Sequence, residues 1–338
     1  MKNKPPEDLE SAEPGRRLMN GKPVITVEAR TVINTKSNFE HKKLCDGLTF
    51  STGSACAYNC SFCYVPDLMR KNPHRLPESV VHENVVVRRA NPLDVMRTQL
   101  LYKDGSRRYP DSDQARVIYA SPLVDVAANM DLVRETIEAC RLILNLTPWT
   151  IRLLSKSNLL TKVDDGLSDH RTRMIYGVST GTLSDQLAAA FEEGTPRVSR
   201  RLASLRELQD RGCRTFGMLC PSLPLGRDEE YDQFARDCAR EIRADRCEHV
   251  WAEVINVRGE SFTRTHRALE DAGFNQQAEL LVGVSESQEL WEEYARKTFE
   301  AHARVYADQP GKLRFLQYVN KRTRPYWEPK VADGAVLL

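Results

Sequence analysis

TGSACAYNCSFCYVPD, residues 52–67, is the stretch on which the fold reading turns. It follows the β-rich run Gly47–Thr52 and places Cys56, Cys60 and Cys63 with three and then two residues between them. Outward from this loop the chain alternates. β candidates lie at Arg116–Ser121, Thr150–Ser155, Arg173–Thr180, Arg214–Cys220 and Glu248–Val257. Helical candidates lie at Asn91–Lys103, Asn129–Leu146, Asn158–Leu167, Ser184–Gly212 (broken near Gly194 and Pro196) and Asp228–Asp245. The helices carry single apolar stripes on charged backgrounds, such as Leu132, Val133, Ile137, Cys140 and Leu144. The strands are nearly continuous apolar runs such as VIYA (117–120) and IYGV (175–178), the pattern of strands covered on both faces. Six βα units in series predict an α/β fold with a parallel sheet and right-handed crossovers, open or curled into a barrel.

The flanks differ. Residues 1–23 mix Pro, Gly, Glu, Lys and Asn without period and are expected to form a flexible leader, followed by a core over 24–260. Beyond it, 261–338 reads as an extension with helical stretches Phe262–Gly273 and Glu286–Ala307, then the strand-like run LRFLQYV (313–319) and a basic-aromatic tail. Whether this extension caps a barrel or forms an appended layer is left open by the sequence.

Composition bounds the rest. The chain has 338 residues, 41% hydrophobic and 28% charged, with a mean hydropathy of -0.50. No run of about 18 apolar residues exists to span a membrane, and the N-terminus lacks the apolar core of a secretory signal. Formal charge is +2, so bulk charge does not mark a nucleic-acid binder and any such contact needs a local patch. Nine cysteines, three of them within one loop, favour a reduced, cytoplasmic protein with one metal site over a disulfide framework. Oligomeric state is not legible.

Thiolates suit iron-sulfur clusters or zinc. A structural zinc site needs four closed ligands, and here the fourth is missing locally; the nearest candidates, Cys45 and His74, stand at irregular spacing. Three thiolates on a four-iron cube leave one corner open for a small molecule. A zinc knuckle completed by a distant residue, in a non-catalytic nucleic-acid-binding module, is the alternative.

The loop resembles the signature of the radical S-adenosylmethionine superfamily, with Phe62 as the aromatic residue before the third cysteine. The resemblance implies a partial (βα)6 TIM-like barrel with a C-terminal helical extension and a [4Fe-4S] cluster on Cys56, Cys60 and Cys63. It implies an open iron that binds S-adenosyl-L-methionine, an external reductant such as flavodoxin or ferredoxin, and reductive cleavage to a 5′-deoxyadenosyl radical that abstracts hydrogen. From Lys36 to Pro224 the chain is similar to the spore photoproduct lyase-like branch, related to DNA repair photolyases. The cues are LLSKSN (153–158), GVST (177–180), FEEGTP (191–196) with Arg201 and Leu202, and GMLCPSLP (217–224). Carried over on these matches, Phe62 packs near the adenine, while Ser121, Lys156 and Ser179 contact the cofactor's methionine and ribose. Turn chemistry for the serines and a solvated strand-end charge for Lys156 are the alternatives.

The chain also departs from that branch. Its lyase carries a catalytic cysteine near the end of the second strand, where VIYASPLVDV (117–126) has none, and a tyrosine where Phe62 stands. The expectation is therefore a relative with its own substrate. Cys220, at the end of the fifth strand, and Tyr64 are candidates to supply a hydrogen atom, with a buried inert thiol as the alternative for Cys220. Glu253, beside Asn256 and Arg258, is a candidate for cofactor or substrate, or for a salt bridge inside the barrel. Glu192 is expected to cap or pair locally with Arg201. Cys140, Cys213, Cys238 and Cys247 are read as structural. Lys321, Arg322 and Arg324 beside Tyr326 and Trp327 have the composition that holds phosphates and stacks bases. Nucleic acid is the substrate expected by analogy, with a peptide or small molecule as the alternative.

Overall fold

The computed structural model describes residues 18–70, 84–120, 122–256 and 260–338. Eight parallel strands stand side by side in chain order: β1 (Leu48–Phe50), β2 (Val117–Ala120), β3 (Thr150–Ser155), β4 (Met174–Thr180), β5 (Arg214–Ser222), β6 (Cys247–Val254), β7 (Leu313–Gln317) and β8 (Ala335–Leu337). A short strand, Ile33–Asn34, pairs antiparallel with β1 at one edge. The six strands expected from apolar runs all form. Among the described residues the sheet does not close, so the expected barrel is present only as an open parallel sheet. The run LRFLQYV neither caps nor forms a separate layer: its first five residues are β7, parallel to β6 in the same sheet.

Among the described residues eleven α-helices occur in order: α1 (Val65–Arg70), α2 (Pro92–Leu100), α3 (Met130–Leu146), α4 (Leu160–Gly166), α5 (Asp185–Phe191), α6 (Val198–Asp210), α7 (Asp228–Glu241), α8 (Glu260–Asp271), α9 (Asn275–Ser285), α10 (Gln288–Val305) and α11 (Arg324–Trp327). Helix α3 shows why these residues fold so. The Asn129 side chain accepts from Leu132 N at 3.0 Å, capping the first turn. Val133, Ala139, Cys140 and Ile143 bury one stripe in the main core, while Leu132 packs with Met19, Ala57 and Val86. Thr147 N and Oγ1 both donate to Ile143 O, and Pro148 stops the helix. The long helical candidate breaks where Gly194 takes φ +79°. There the chain leaves α5, pairs Glu192–Glu193 with Asn59–Cys60, and re-enters helix at Val198.

The inner face of the sheet is filled beneath the strand ends. The Phe216 ring lies where a Cβ on Gly177 would sit, 2.2 Å from it. Trp251 meets Phe216 edge-on at 5.3 Å, and the buried Arg152 guanidinium lies 5.0 Å from the Trp251 ring. Segment 39–45 packs on the same face. Leu44 and Cys45 join Tyr119, Ile175 and Phe216 in one apolar cluster, with Phe39 against it. Arg152 Nη1 donates to Leu44 O (2.6 Å) and Trp251 Nε1 to Lys42 O (2.8 Å).

A second, four-stranded sheet was not legible as such: Leu18–Met19, Lys22–Val27, Val86–Arg89 and Gly53–Ala55. Its first pair is a hairpin turning at Asn20-Gly21, both with positive φ. The small sheet thus takes in residues from 18–23 of the expected leader; residues 1–17 lie outside the described ones. Gly53 is required here, because a Cβ would sit 2.6 Å from both Val87 O and Arg88 Nη1. This sheet delivers the chain into the three-cysteine loop.

Candidate functional site

The loop is tied down on both sides. Asn59–Cys60 forms a two-residue antiparallel ladder with Glu192–Glu193. Ser61 N and Oγ both donate to Phe191 O, at 2.9 and 3.1 Å. Arg264 of α8 donates to Ser61 O (3.1 Å) and Cys63 O (2.7 Å), and Thr265 Oγ1 lies 3.0 Å from Ser61 Oγ as an alternative acceptor for the same hydroxyl proton. Asn59 Nδ2 donates to Glu193 Oε2 at 2.8 Å. Backbone carbonyls of a turn are thereby satisfied by side chains rather than solvent, which fixes the loop's course.

A cavity of about 750 Å³ lies against the C-terminal ends of the strands, where parallel α/β folds place their sites. Cys56, Cys60, Phe62, Cys63, Tyr64, Lys156, Ser179, Cys220 and Glu253 all line it. Nine of the ten residues singled out from the sequence therefore meet in one space. The tenth, Ser121, lies outside the described residues, as do Arg258 and His74.

Lys156 is the best-held of the charged groups. Its Nζ donates to Glu192 Oε1 (2.6 Å) and Ser179 Oγ (3.1 Å) and stands 5.1 Å from the Phe62 ring centre. Glu192 is fully buried and also ion-pairs with Arg201, itself fully buried, at 2.5 Å. Arg201 further donates to Pro196 O, Thr195 Oγ1 and Ser179 O. The pairing of Glu192 with Arg201 matches the expectation, while its bond to Lys156 was not foreseen. Two cations share one carboxylate, so the trio keeps one positive charge beside the loop.

Asp125 was missed from the sequence. It accepts from Ala127 N (2.9 Å), Ser155 Oγ (2.7 Å) and Lys156 N (2.7 Å), and its own N–H donates to Cys56 Sγ at 3.3 Å. Burial raises its carboxyl pKa against those bonds. Burial pushes the Cys56 thiol up to about 12, with the Asp125 charge adding to it. Burial also raises Cys60 well above the ordinary thiol value, although Lys156 pulls the other way. The signal available in the sequence was the PLVD run after β2, which reads as an ordinary apolar turn.

A second group of polar residues lining the cavity is Lys42, Cys220, Glu253 and Tyr318. Lys42 Nζ is 3.8 Å from Glu253 Oε1, and Cys220 Sγ is 3.6 Å from Glu253 Oε2. Burial pulls the Lys42 ammonium down, but Glu253, Tyr318 and Cys220 more than offset it, and its pKa lies above the ordinary lysine value. Burial, then the Glu253 charge, raises the Cys220 thiol. Tyr64 spans the wall and donates to Pro122 O at 2.6 Å. Lys42 was invisible in the sequence because it precedes β1 in a segment without period.

The donor set can be weighed against the group it was expected to hold. Among the described residues no three His, Cys, Asp or Glu side chains are gathered as ligands of a single ion. Cys45 lies in the apolar cluster of the sheet face and does not line the cavity. A four-iron cube takes each thiolate at a different corner, so its cysteines stand around it rather than converge on one point. Three soft thiols at the rim of a cavity wide enough for a small molecule fit such a cluster.

Other sequence candidates fall elsewhere. Cys140, Cys213, Cys238 and Cys247 are buried structural thiols, as expected. The basic-aromatic tail is absorbed into the fold. Trp327 is fully buried, stacked on Phe315, and donates to Glu292 Oε2 at 3.0 Å. Tyr326 OH donates to Glu300, Arg322 pairs with Glu289 and Arg324 with Glu328. No helix among the described residues is long and apolar enough to cross a membrane.

No protein-family model matches the chain. An uncharacterized protein of Acidianus two-tailed virus, ORF301, is 22% identical over 222 residues, which cover 64% of this chain and 70% of that one. Among solved structures, a spore photoproduct lyase variant superimposes with a TM-score of 0.54 at 14% identity. A second variant of that lyase, with bound AdoMet and dinucleoside spore photoproduct, gives 0.51 at 13%. Each alignment covers 73% of this chain and 66% of the lyase, so the chain spans just under two-thirds of that protein's length. At such identity the likeness is one of fold: the chain is similar to spore photoproduct lyase in its mixed α/β architecture with a parallel sheet.

Proposed function

We propose that this chain is a radical S-adenosylmethionine enzyme in which Cys56, Cys60 and Cys63 hold a [4Fe-4S] cluster. The observation that carries the reading is the meeting of these thiols with Phe62, Lys156, Ser179, Cys220 and Glu253 in one cavity at the strand ends. When bound and reduced by a small electron carrier such as flavodoxin or ferredoxin, the cluster supplies an electron that splits the sulfonium carbon–sulfur bond and leaves a hydrogen-abstracting carbon radical. The chain's own residues do the rest. Lys156 offers its ammonium to a carboxylate of the bound cofactor while Glu192 and Arg201 hold it in place. Ser179 presents a hydroxyl beside it, and Phe62 an aromatic face. Arg264 and the Asn59–Cys60 ladder keep the loop in one course. Cys220 and Tyr64 line the same space as X–H groups able to return a hydrogen atom.

Of the substrate classes expected from the sequence we favour a small molecule. The analogy that led to nucleic acid gains no support from the tail, where Trp327 is buried and Arg322 and Arg324 are paired with Glu289 and Glu328. Anaerobic reconstitution with iron and sulfide tests the reading: about four irons per chain, lost in a variant with Cys56, Cys60 and Cys63 all replaced by alanine, and 5′-deoxyadenosine formed on reduction. A protein that retains about one zinc and takes up no iron overturns it in favour of a zinc module.

A further inference from the structure

The Lys42–Glu253 pair has no local structural task that its geometry fulfils. Both side chains are largely withdrawn from solvent, at 23% and 17% exposure, and both line the cavity. Their charged atoms stand 3.8 Å apart, too far for a hydrogen bond. Glu253 Oε2 has only the Cys220 thiol at 3.6 Å. Lys42 is flanked by the rings of Phe39 (5.9 Å) and Tyr318 (5.7 Å). Withdrawing two charges from water costs several kcal/mol each unless hydrogen bonds complete the pair. The Tyr318 hydroxyl beside Lys42 and the Cys220 thiol beside Glu253 complete only part of the pair's bonding, and both charged groups line the cavity.

Resting on the function proposed above, we infer that Lys42 and Glu253 form the head-group subsite of the substrate, and that this head group is the zwitterion of a free α-amino acid. An α-carboxylate accepts from Lys42 while the α-ammonium beside it donates to Glu253, closing a four-charge ring in which each ion meets its opposite. A neutral amide would set only dipoles against two full charges. Cys220 stands between the two charged groups, Lys156 and Glu253: its carbonyl accepts from Ser179 Oγ, which itself accepts from Lys156, and its thiol meets Glu253. Tyr119, Leu154, Met218 and Leu316 lie among the lining as its apolar part.

The test uses the full chain, reconstituted with iron and sulfide, and the twenty protein amino acids as probes. Each is paired with its N-acetyl methylamide, which removes both charges at constant side chain. Binding is read by thermal shift and calorimetric titration. At least one free amino acid should bind while its capped form does not, and Lys42→Met and Glu253→Gln should each weaken that binding by about tenfold or more. Glu253→Gln preserves shape, so it carries the test if Lys42→Met fails to fold. No binding by any of the twenty, equal binding of the capped forms, or binding untouched in the variants overturns the inference. Iron content and 5′-deoxyadenosine formation by the unaltered chain separate the two failures. If both are normal and amino acids do not bind, the subsite is wrong and the function stands; if both are absent, the function itself is wrong.

Discussion

Glu192→Gln is the sharpest single perturbation of the site's framework. The Glu192 and Arg201 side chains are both fully buried, and Lys156 is 13% exposed. The amide keeps the volume but removes the one carboxylate that two cations share, leaving the Arg201 guanidinium with carbonyl and hydroxyl partners only. Removing one partner of a buried ion pair costs about 3–5 kcal/mol. Unfolding entropy of about 2.1 cal/mol/K per residue gives about 0.7 kcal/mol/K for a chain of 338 residues. Scanning calorimetry should therefore find the melting temperature lowered by about 4–7 °C. The double variant Glu192→Gln/Arg201→Met removes the orphaned charge as well and should cost less than the sum of the two single changes. Melting within about 1 °C of the unaltered chain, or strict additivity in the double variant, would refute the shared-carboxylate account.

Three further outcomes are expected. His302 on α10 is buried with neither ring nitrogen partnered, and burial holds its pKa down to about 4 against an ordinary 6.5. The unfolded chain takes up that proton near pH 6.5 and the folded chain only near 4, so about 3 kcal/mol of stability is lost as pH falls through this window. Denaturant titrations of His302→Leu should show a correspondingly flatter pH profile; parallel profiles would show that His302 does not set it. Gly177→Ala forces a methyl into the Phe216 ring and should destabilise by about 1–3 kcal/mol, with recovery in Gly177→Ala/Phe216→Leu. Absence of that recovery would place the strain elsewhere. Arg264→Met removes the donors to Ser61 O and Cys63 O and should speed iron loss to a chelator from the reconstituted protein. An unchanged rate would mean the loop holds its course without α8.

The central architecture was legible because its signals are local. Thr150–Ser155 forms a strand with the bounds expected from its apolar run, and α3 begins one residue after its Asn129 cap. Gly194 and Pro196 announced the break between α5 and α6. The small sheet was not legible, since Lys22–Val27 and Val86–Arg89 lie far apart in the chain and their pairing leaves no local pattern. Helix α9 carries apolar residues on several sides, Leu280, Leu281, Val282 and Val284 among them, so no single stripe marks it. The site divides in the same way. Its thiols, Lys156, Ser179 and Cys220 sit in strand-end phrases that can be read in one pass. Asp125, Lys42 and Arg264 reach the cavity through tertiary contacts that leave no periodic trace.

The side of the cavity formed by Phe39, Lys42 and Leu44 is built by a 3-10 turn and the residues after it, lying against the sheet, rather than by paired strands. Strand ladders constrain every residue in register, so changing one disturbs its neighbours. A partition of side chains carries no such obligation. Exchange of Lys42, which lines the cavity outside any ladder, resets the charge of the chamber while Leu44 and Cys45 keep the segment seated and the three-cysteine loop stays untouched.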